Sequence, residues 1–258
     1  MRVATGFTLV ELVMVILLLG VMATFSSQFI GIGTQIYGDA SRREQLMSDA
    51  RFALERLNRE LRDAVPGSVR VEDDAGISGD QGTCLRFWPI ATASRYLGSA
   101  VSAGLTMVTP QVLPEQDRDL AIVYPLASPA LPLEQGCLYG QCVAAVTDVG
   151  SPASGALSLT VDGAFTQDSP GRRVYFANQQ VLYCVRGGSL WQMAKPLGES
   201  LTSGETTQLM AEHIRPASHY FYREPAAFNQ SEVGVQLEFE RSGERVLFNH
   251  KLELLNVP

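Results

Sequence analysis

Gly6-Phe7-Thr8-Leu9-Val10-Glu11-Leu12-Val13-Met14-Val15-Ile16 opens an apolar run that decides how the rest of the chain is read. Between Phe7 and Phe25 the one ionisable side chain is Glu11, and after Glu11 no charge occurs until Asp39. At about 1.5 Å per residue, a run of this length crosses a hydrocarbon core of about 30 Å as a single helix. A carboxylate inside such a run is costly to keep there, which makes Glu11 a functional candidate. The leader from Met1 to Gly6 carries Arg2 and ends in a small residue. A secretory signal has the opposite order, with its small-residue cleavage site after the apolar region. Here Val21-Met22-Ala23-Thr24-Phe25 is a poor match to such a site.

The chain has 258 residues, a net charge of −7 and a pI near 5.0. That length carries one domain beyond the apolar run, or two. Hydrophobic residues at 46% supply a core, while charged residues at 18% fall below the usual quarter because positions 1–38 hold so few. The acidic balance does not suggest nucleic acid as a partner. Four cysteines, Cys84, Cys137, Cys142 and Cys184, all lie beyond the apolar run. In an exported head an even count favours two disulfides. Three pairings exist; the close spacing of Cys137 and Cys142 favours a small loop there, leaving Cys84 with Cys184. A zinc site is the competing use of four thiolates, but only one close pair exists and no second C-x-x-C accompanies it.

Beyond the run, Gly20, Gly31, Gly33 and Gly38 punctuate the helical text, and the stretch from Gly31 to Gly38 is the expected place for a bend or a frayed turn. From Asp39 the pattern becomes amphipathic. Met47, Ala50, Leu54, Leu57, Leu61 and Ala64 recur at spacings of three and four, widened by Leu46 and Ala53. Opposite charges sit four apart at Arg51/Glu55, Glu55/Arg59, Arg56/Glu60 and Arg59/Asp63. Pro66-Gly67 ends the helix. The remainder reads as β structure. Strands are expected at Ser68–Glu72, Cys84–Trp88, Leu120–Tyr124, Ala156–Val161 and His219–Tyr222, with Val174–Ala177 as a short edge strand. Ala91–Arg118 and Ala127–Gly136 read as loops. Gln180–Arg186 and Ser189–Met193 flank Gly187-Gly188 as a hairpin. Val233–Glu240 and Arg245–Leu254 flank Arg241-Ser242-Gly243-Glu244 as another. Gln208–Ile214 reads as a helical turn or a strand.

No catalytic constellation emerges. His213, His219 and His250 are scattered, with no H-x-x-x-H pair. Ala100-Val101-Ser102-Ala103-Gly104 misses the nucleophile-elbow pattern at its first residue. Glu115, Asp117 and Asp119 alternate, but lack the glycine and distant Glu of a calcium loop and read as a solvated stretch. Asp73-Asp74 before Gly76 reads as a turn. There is no phosphate-binding or dinucleotide motif, so neither an enzyme nor a cofactor is expected. His219-Tyr220-Phe221-Tyr222 is the densest aromatic group and reads as core and sheet face, with a contact site as the functional alternative.

A basic leader ending in Gly, then Phe-Thr-Leu-x-Glu, then an apolar helix, resembles the type IV prepilin-like proteins. Two further stretches, Ala50–Arg62 and Leu209–Ile214 with the C-terminal hairpin that ends Leu255-Asn256-Val257-Pro258, look like the large minor pilins and pseudopilins of the PilW and GspJ type. The likeness is strongest to the minor pilins of mannose-sensitive haemagglutinin pili. The chain departs from major pilins in lacking a Pro in the membrane run, where Gln28 stands near the expected place. This resemblance implies an α+β, type IV pilin-like fold, with a long N-terminal transmembrane and amphipathic helix packed on a β-rich globular head. Residues 1–6 are then the leader, 7–65 the helix (7–29 transmembrane, 39–65 the amphipathic spine) and 66–258 a periplasmic head. A prepilin peptidase is expected to cut between Gly6 and Phe7 and methylate the new amine, and Glu11 to serve assembly. The implied partners are the inner membrane and other minor and major pilins, and the implied role is starting or capping a filament at the cell surface. A filament-tip adhesin using loops between Ala91 and Gly150, and a membrane-tethered periplasmic enzyme, are the alternatives.

Overall fold

The computed structural model describes residues 6, 8–126, 132–204, 208–223 and 232–253. Its first element, α1, runs from Leu9 to Arg62 as one α-helix of 54 residues. No frayed turn interrupts the helix between Gly31 and Gly38: it passes through all three glycines. Each costs roughly 1 kcal/mol relative to Ala, but strong helical text on both sides makes interruption costlier than continuation. The chain divides into two compact units, Met1–Ser48 and Asp49–Pro258, so the last turns of α1 belong with the β structure.

In those turns the small and branched stripe is buried: Ala50, Ala53, Leu54, Leu57 and Leu61. The helix stops at Arg62, three residues before the expected end, where the next residues enter non-local backbone pairing. Ala64 bridges to Pro89, and the Val65 N–H donates to the Trp88 carbonyl at 2.8 Å. Pro66-Gly67 then turns the chain, with Gly67 at φ 74°.

Among the described residues sixteen strands follow. The first eight are β1 (Arg70–Glu72), β2 (Ser78–Gly79), β3 (Gln81–Gly82), β4 (Cys84–Phe87), β5 (Thr92–Leu97), β6 (Gly104–Val108), β7 (Leu120–Val123) and β8 (Val143–Val149). The rest are β9 (Ala156–Val161), β10 (Arg173–Ala177), β11 (Gln179–Arg186), β12 (Ser189–Pro196), β13 (Gln208–Ala211), β14 (Phe221–Tyr222), β15 (Glu232–Arg241) and β16 (Glu244–Glu253). They form a six-stranded sheet in the order β13-β12-β11-β4-β1-β2, a closed barrel β10-β5-β6-β9-β8-β7, and a four-stranded sheet β16-β15-β14-β3. One long apolar N-terminal helix and a β-rich remainder make the chain α+β.

The barrel overturns two expectations. Ala91–Arg118 is not loop throughout: it contributes β5 and β6, with irregular chain at 98–103 and 109–118. Val174–Ala177 is not an edge: β10 pairs with β5 on one side and β7 on the other. Closure removes strand edges altogether. The barrel interior is filled by Tyr96, Leu105, Met107, Val123, Val146, Leu159, Val161, Phe165, Val174 and Phe176. Its loops are pinned by side chains. The Tyr96 hydroxyl accepts the Ser169 N–H at 2.6 Å, and Asp168 accepts the Ala100 N–H at 2.6 Å and the Ser99 hydroxyl at 2.8 Å. The Ala100 N–H is the main reason the Asp168 carboxyl titrates below its ordinary range.

The six-stranded sheet contains buried charge. Glu72 is 3% exposed and Arg86 9%. The Arg86 Nε donates to both Glu72 oxygens at 2.8 and 3.0 Å, Nη1 to Gln180 Oε1 at 2.6 Å, and Nη2 to the Leu201 carbonyl at 2.8 Å. A second polar lock joins the buried end of α1 to the sheet. Arg56 donates to Glu60 at 2.9 Å, and of the four expected i,i+4 pairs this is the one built into the fold. Glu60 accepts the Tyr183 hydroxyl at 2.8 Å and Gln192 Nε2 at 3.0 Å, and Arg56 reaches Gln208 at 3.1 Å. Burial, with the Glu60 carboxylate beside it, pushes the Tyr183 phenol far above its usual range, so it remains a donor.

Both expected hairpins are present. Gly187 and Gly188 take φ 59° and 76°, the two left-handed positions that a type I′ turn requires. The β15–β16 turn tightens from four expected residues to two, Ser242 and Gly243 at φ 54° and 86°. Gln208–Ala211 is a strand, and Phe221–Tyr222 is the strand portion of the aromatic group.

Gly82 sits where the four-stranded sheet meets the six-stranded one. Its carbonyl accepts the Tyr220 N–H at 2.9 Å, and an added Cβ would run into the Glu72 carbonyl oxygen. Gly82→Ala is therefore expected to cost about 2 kcal/mol or more. Gly104→Ala, in a strand with open space around it, serves as the control and should change little. Thermal unfolding of the detergent-solubilised protein, followed by circular dichroism with disulfides intact, distinguishes the two.

Candidate functional site

Three features carry the candidate functional residues: the start of α1, the two disulfides, and the loop that one of them closes. Gly6 is exposed, while Phe7 lies outside the described residues. Thr8 is the residue before the first helical position, and its hydroxyl accepts the Glu11 N–H at 3.3 Å. Thr8 and Glu11 thus have the spacing and half of the bonding of a capping box, a signal readable as Thr-x-x-Glu that the sequence analysis passed over. It satisfies one of the helix's orphan N–H donors from within the chain, which matters most where water is scarce. Glu11 also stands in the first turn, at the positive end of the helix dipole.

From Leu9 to Tyr37 the helix exposes its large apolar side chains on every face. The most apolar 18-residue window has mean hydropathy 2.4 and none of it is buried. Among the described residues this is one helix long and apolar enough to cross a membrane. Three of its hydroxyls are satisfied within the helix. Thr24 donates to the Val21 carbonyl at 2.7 Å, Ser27 to Thr24 at 2.9 Å and Thr34 to Gly31 at 2.9 Å.

The cysteines form the bridges Cys84–Cys184 and Cys137–Cys142, and none is free. Cys84 on β4 and Cys184 on β11 are directly opposed in the strand register, and both are buried. Leu182, Met193 and Leu201 pack around them. Cys137–Cys142 clamps a short loop whose backbone folds back on itself, Cys137 N–H to the Gly140 carbonyl at 2.8 Å and the reverse at 3.1 Å. Gln141 and Thr166 hold it to the barrel through two further bonds of 2.8 and 2.9 Å. Gly140 takes φ 109° with Thr166 against it, a place no other residue fits. The result is a clamped loop that presents Leu138 and Tyr139, each about half exposed, beside a shallow recess lined by Tyr124, Leu126 and Gln167.

The remaining candidates are occupied structurally. Glu115, Asp117 and Asp119 do not converge. Glu115 pairs with Arg118 at 2.7 Å, while Asp119 is buried and accepts Asn178 Nδ2 at 2.8 Å and the Glu115 N–H at 3.0 Å. Ser102 donates to the Gly104 carbonyl in the turn before β6. Asp73 accepts the Ala75 and Ile77 N–H groups, which makes the expected turn. In the aromatic group Phe221 is buried, Tyr220 bonds Arg215 and Ala217, and Tyr222 lies across Gly234 to reach Asn249 at 3.1 Å. Among the described residues no group of three or more His, Cys, Asp or Glu is placed to hold a metal ion.

Comparison with protein-family models, with curated proteins and with solved structures returns no match.

The two bridges differ in the chain they enclose, with sequence separations of 100 and 5. In the loop-entropy model the longer closure is worth about 4–5 kcal/mol and the shorter about 2. Replacing both Cys84 and Cys184 by Ala should therefore lower the melting temperature more than replacing Cys137 and Cys142, with each double substitution avoiding a stranded thiol. Equal losses from the two pairs, measured by thermal unfolding, would contradict this ranking.

Proposed function

We propose that this chain is a minor pilin-like protein that helps to start or cap a type IV filament of the mannose-sensitive haemagglutinin class. The observation that carries this reading is the motif Gly6-Phe7-Thr8-Leu9-Val10-Glu11 at the head of an unbroken, apolar, exposed helix. In this reading the apolar part of α1 holds the protein in the inner membrane, and the β-rich head lies in an oxidising periplasm, where two disulfides are at home. A prepilin peptidase cuts between Gly6 and Phe7 and methylates the Phe7 amine, which stays cationic. Glu11 is then one helical turn from that amine and within reach of the corresponding amine of a neighbouring pilin. In hydrocarbon a lone carboxylate is costly, so a cationic partner is what makes Glu11 tolerable there. The pairing sets the axial register of a subunit as it joins other minor and major pilins. A type II secretion pseudopilin shares every one of these features and is the neighbouring assignment.

A filament-tip adhesin is the second reading. It rests on the clamped loop, where Leu138 and Tyr139 are held outward by a disulfide. Between Ala91 and Gly150, β5, β6, β7 and β8 belong to the barrel, and the clamped loop is the part of the rest that a disulfide fixes.

Two measurements test the main reading. Intact mass of the membrane-extracted protein should show loss of residues 1–6 and gain of one methyl group, and Gly6→Leu should leave the precursor uncut. Cleavage after residue 23 would instead mark an ordinary secreted protein. Glu11→Leu should give a processed, folded, membrane-bound protein that no longer supports filament formation. Unchanged filament numbers would remove Glu11 from assembly. If Leu138→Ser with Tyr139→Ser abolishes surface attachment while filament number holds, the adhesin reading takes precedence.

A further inference from the structure

Among the described residues β16 has one neighbour, β15, and so offers a ten-residue outer edge. The other sheet ends are short: β13 has four residues, β2 and β3 two each, and the barrel has no edge. A long regular edge is a template for another strand unless something blunts it. β16 pairs with β15 at all ten positions without a bulge, so its ladder is regular and its outer edge uninterrupted. Its core-side row, Val246, Phe248 and Leu252, sits opposite the buried Phe239, Leu237 and Val233, and Val246 and Phe248 keep partial exposure.

We propose that two copies of this chain pair edge to edge through β16, antiparallel, about a two-fold axis at Asn249. The register follows from two constraints. In an antiparallel pair the backbone groups that point across alternate along each strand, so two identical strands pair only about an axis centred on a residue. Charge then selects the residue. Centred on Phe248, Arg245 faces the second copy's Lys251, and like charges directly opposite are destabilising. Centred on Leu247 or His250, the ladder shortens to residues 244–250 or 247–253. Centred on Asn249, residues 245–253 all pair and Arg245 faces the second copy's Glu253, twice by symmetry. The same register sets Val246 against Leu252 and Phe248 against His250 on the core side. On the other face it lays Leu247 beside the aliphatic stem of Lys251.

Glu253 supplies an independent reason. Within the chain it stands directly opposite Glu232 on β15, two carboxylates on one face. A guanidinium arriving from the second copy relieves that repulsion. Arg245 already lies 3.4 Å from Glu240 on its own sheet, so its side chain is held on this face.

The test uses the full chain in detergent, where all four native cysteines are bridged and an introduced cysteine is the sole free thiol. Asn249→Cys should crosslink to itself under mild oxidation. Leu247→Cys alone should not, because its own copy lies four residues, or about 13 Å, away, beyond disulfide reach. A mixture of Leu247→Cys and Lys251→Cys chains should crosslink. Glu253→Arg should raise the thermal stability of the monomer by removing the Glu232 repulsion, yet weaken dimerisation roughly tenfold by facing Arg245. Adding Arg245→Glu to it should restore the dimer. The proposal is overturned by a chain that sediments as a monomer throughout. It is equally overturned if Leu247→Cys crosslinks as readily as Asn249→Cys, or if a dimer is indifferent to Glu253→Arg.

Discussion

Arg86 is the charge around which the six-stranded sheet is arranged. A guanidinium removed from water is tolerable only when its N–H groups find acceptors, and removing one acceptor leaves a buried charge exposed to the full desolvation cost. Here the acceptors come from separate elements: Glu72 on β1, Gln180 on β11 and the Leu201 carbonyl in the segment after β12. Each must arrive in register for the others to be worth making. Gln180 carries the constraint onward by donating to the Glu199 carbonyl at 2.6 Å. The buried pair is therefore better read as a specifier of strand position than as a source of net stability.

Within α1 the sequence changes character without the backbone changing conformation. From Leu9 to Tyr37 the helix is apolar all round, which suits a surround in which every amide must be satisfied internally. From Asp49 the apolar residues contract to a stripe of Ala and Leu, and polar contacts appear where Arg56 and Glu60 meet β11, β12 and β13. Small residues on the stripe let the helix lie close to the sheet, and the Arg56–Glu60–Tyr183 group sets its rotation about its own axis.

Most of what was legible in the sequence was local. The apolar run, the amphipathic stripe, the Gly187-Gly188 and Ser242-Gly243 turns and the close Cys137–Cys142 pair each announce themselves within a few residues. The barrel did not. β5 and β6 are short, rich in Ser, Thr and Gly, and pair with strands far along the chain, as Thr106 does with Ser158 and Val174 with Ser94. Nothing in Thr92–Leu97 distinguishes a barrel strand from a loop until its partners are known. The C-terminal end of α1 and its glycine-rich middle escape a local reading for a related reason. Non-local pairing of Ala64 with Pro89 ends α1 early, and the glycine-rich middle stays helical because its neighbours do. The Thr8 cap is legible as Thr-x-x-Glu, a spacing that concerns the Glu11 backbone rather than its charge.

The Cys84–Cys184 bridge has a further consequence when the chain is considered as a cable. Every barrel strand, from Thr92 to Ala177, lies between these two cysteines. The smaller Cys137–Cys142 ring is nested inside the same span. Tension applied between the helix and the C-terminal hairpin therefore passes from Cys84 to Cys184 through two sulfur atoms and never along the barrel's own backbone. The barrel is covalently bypassed, shielded from pulling by a shortcut at its root, and it would keep its shape while the strands outside the bridge carried the load.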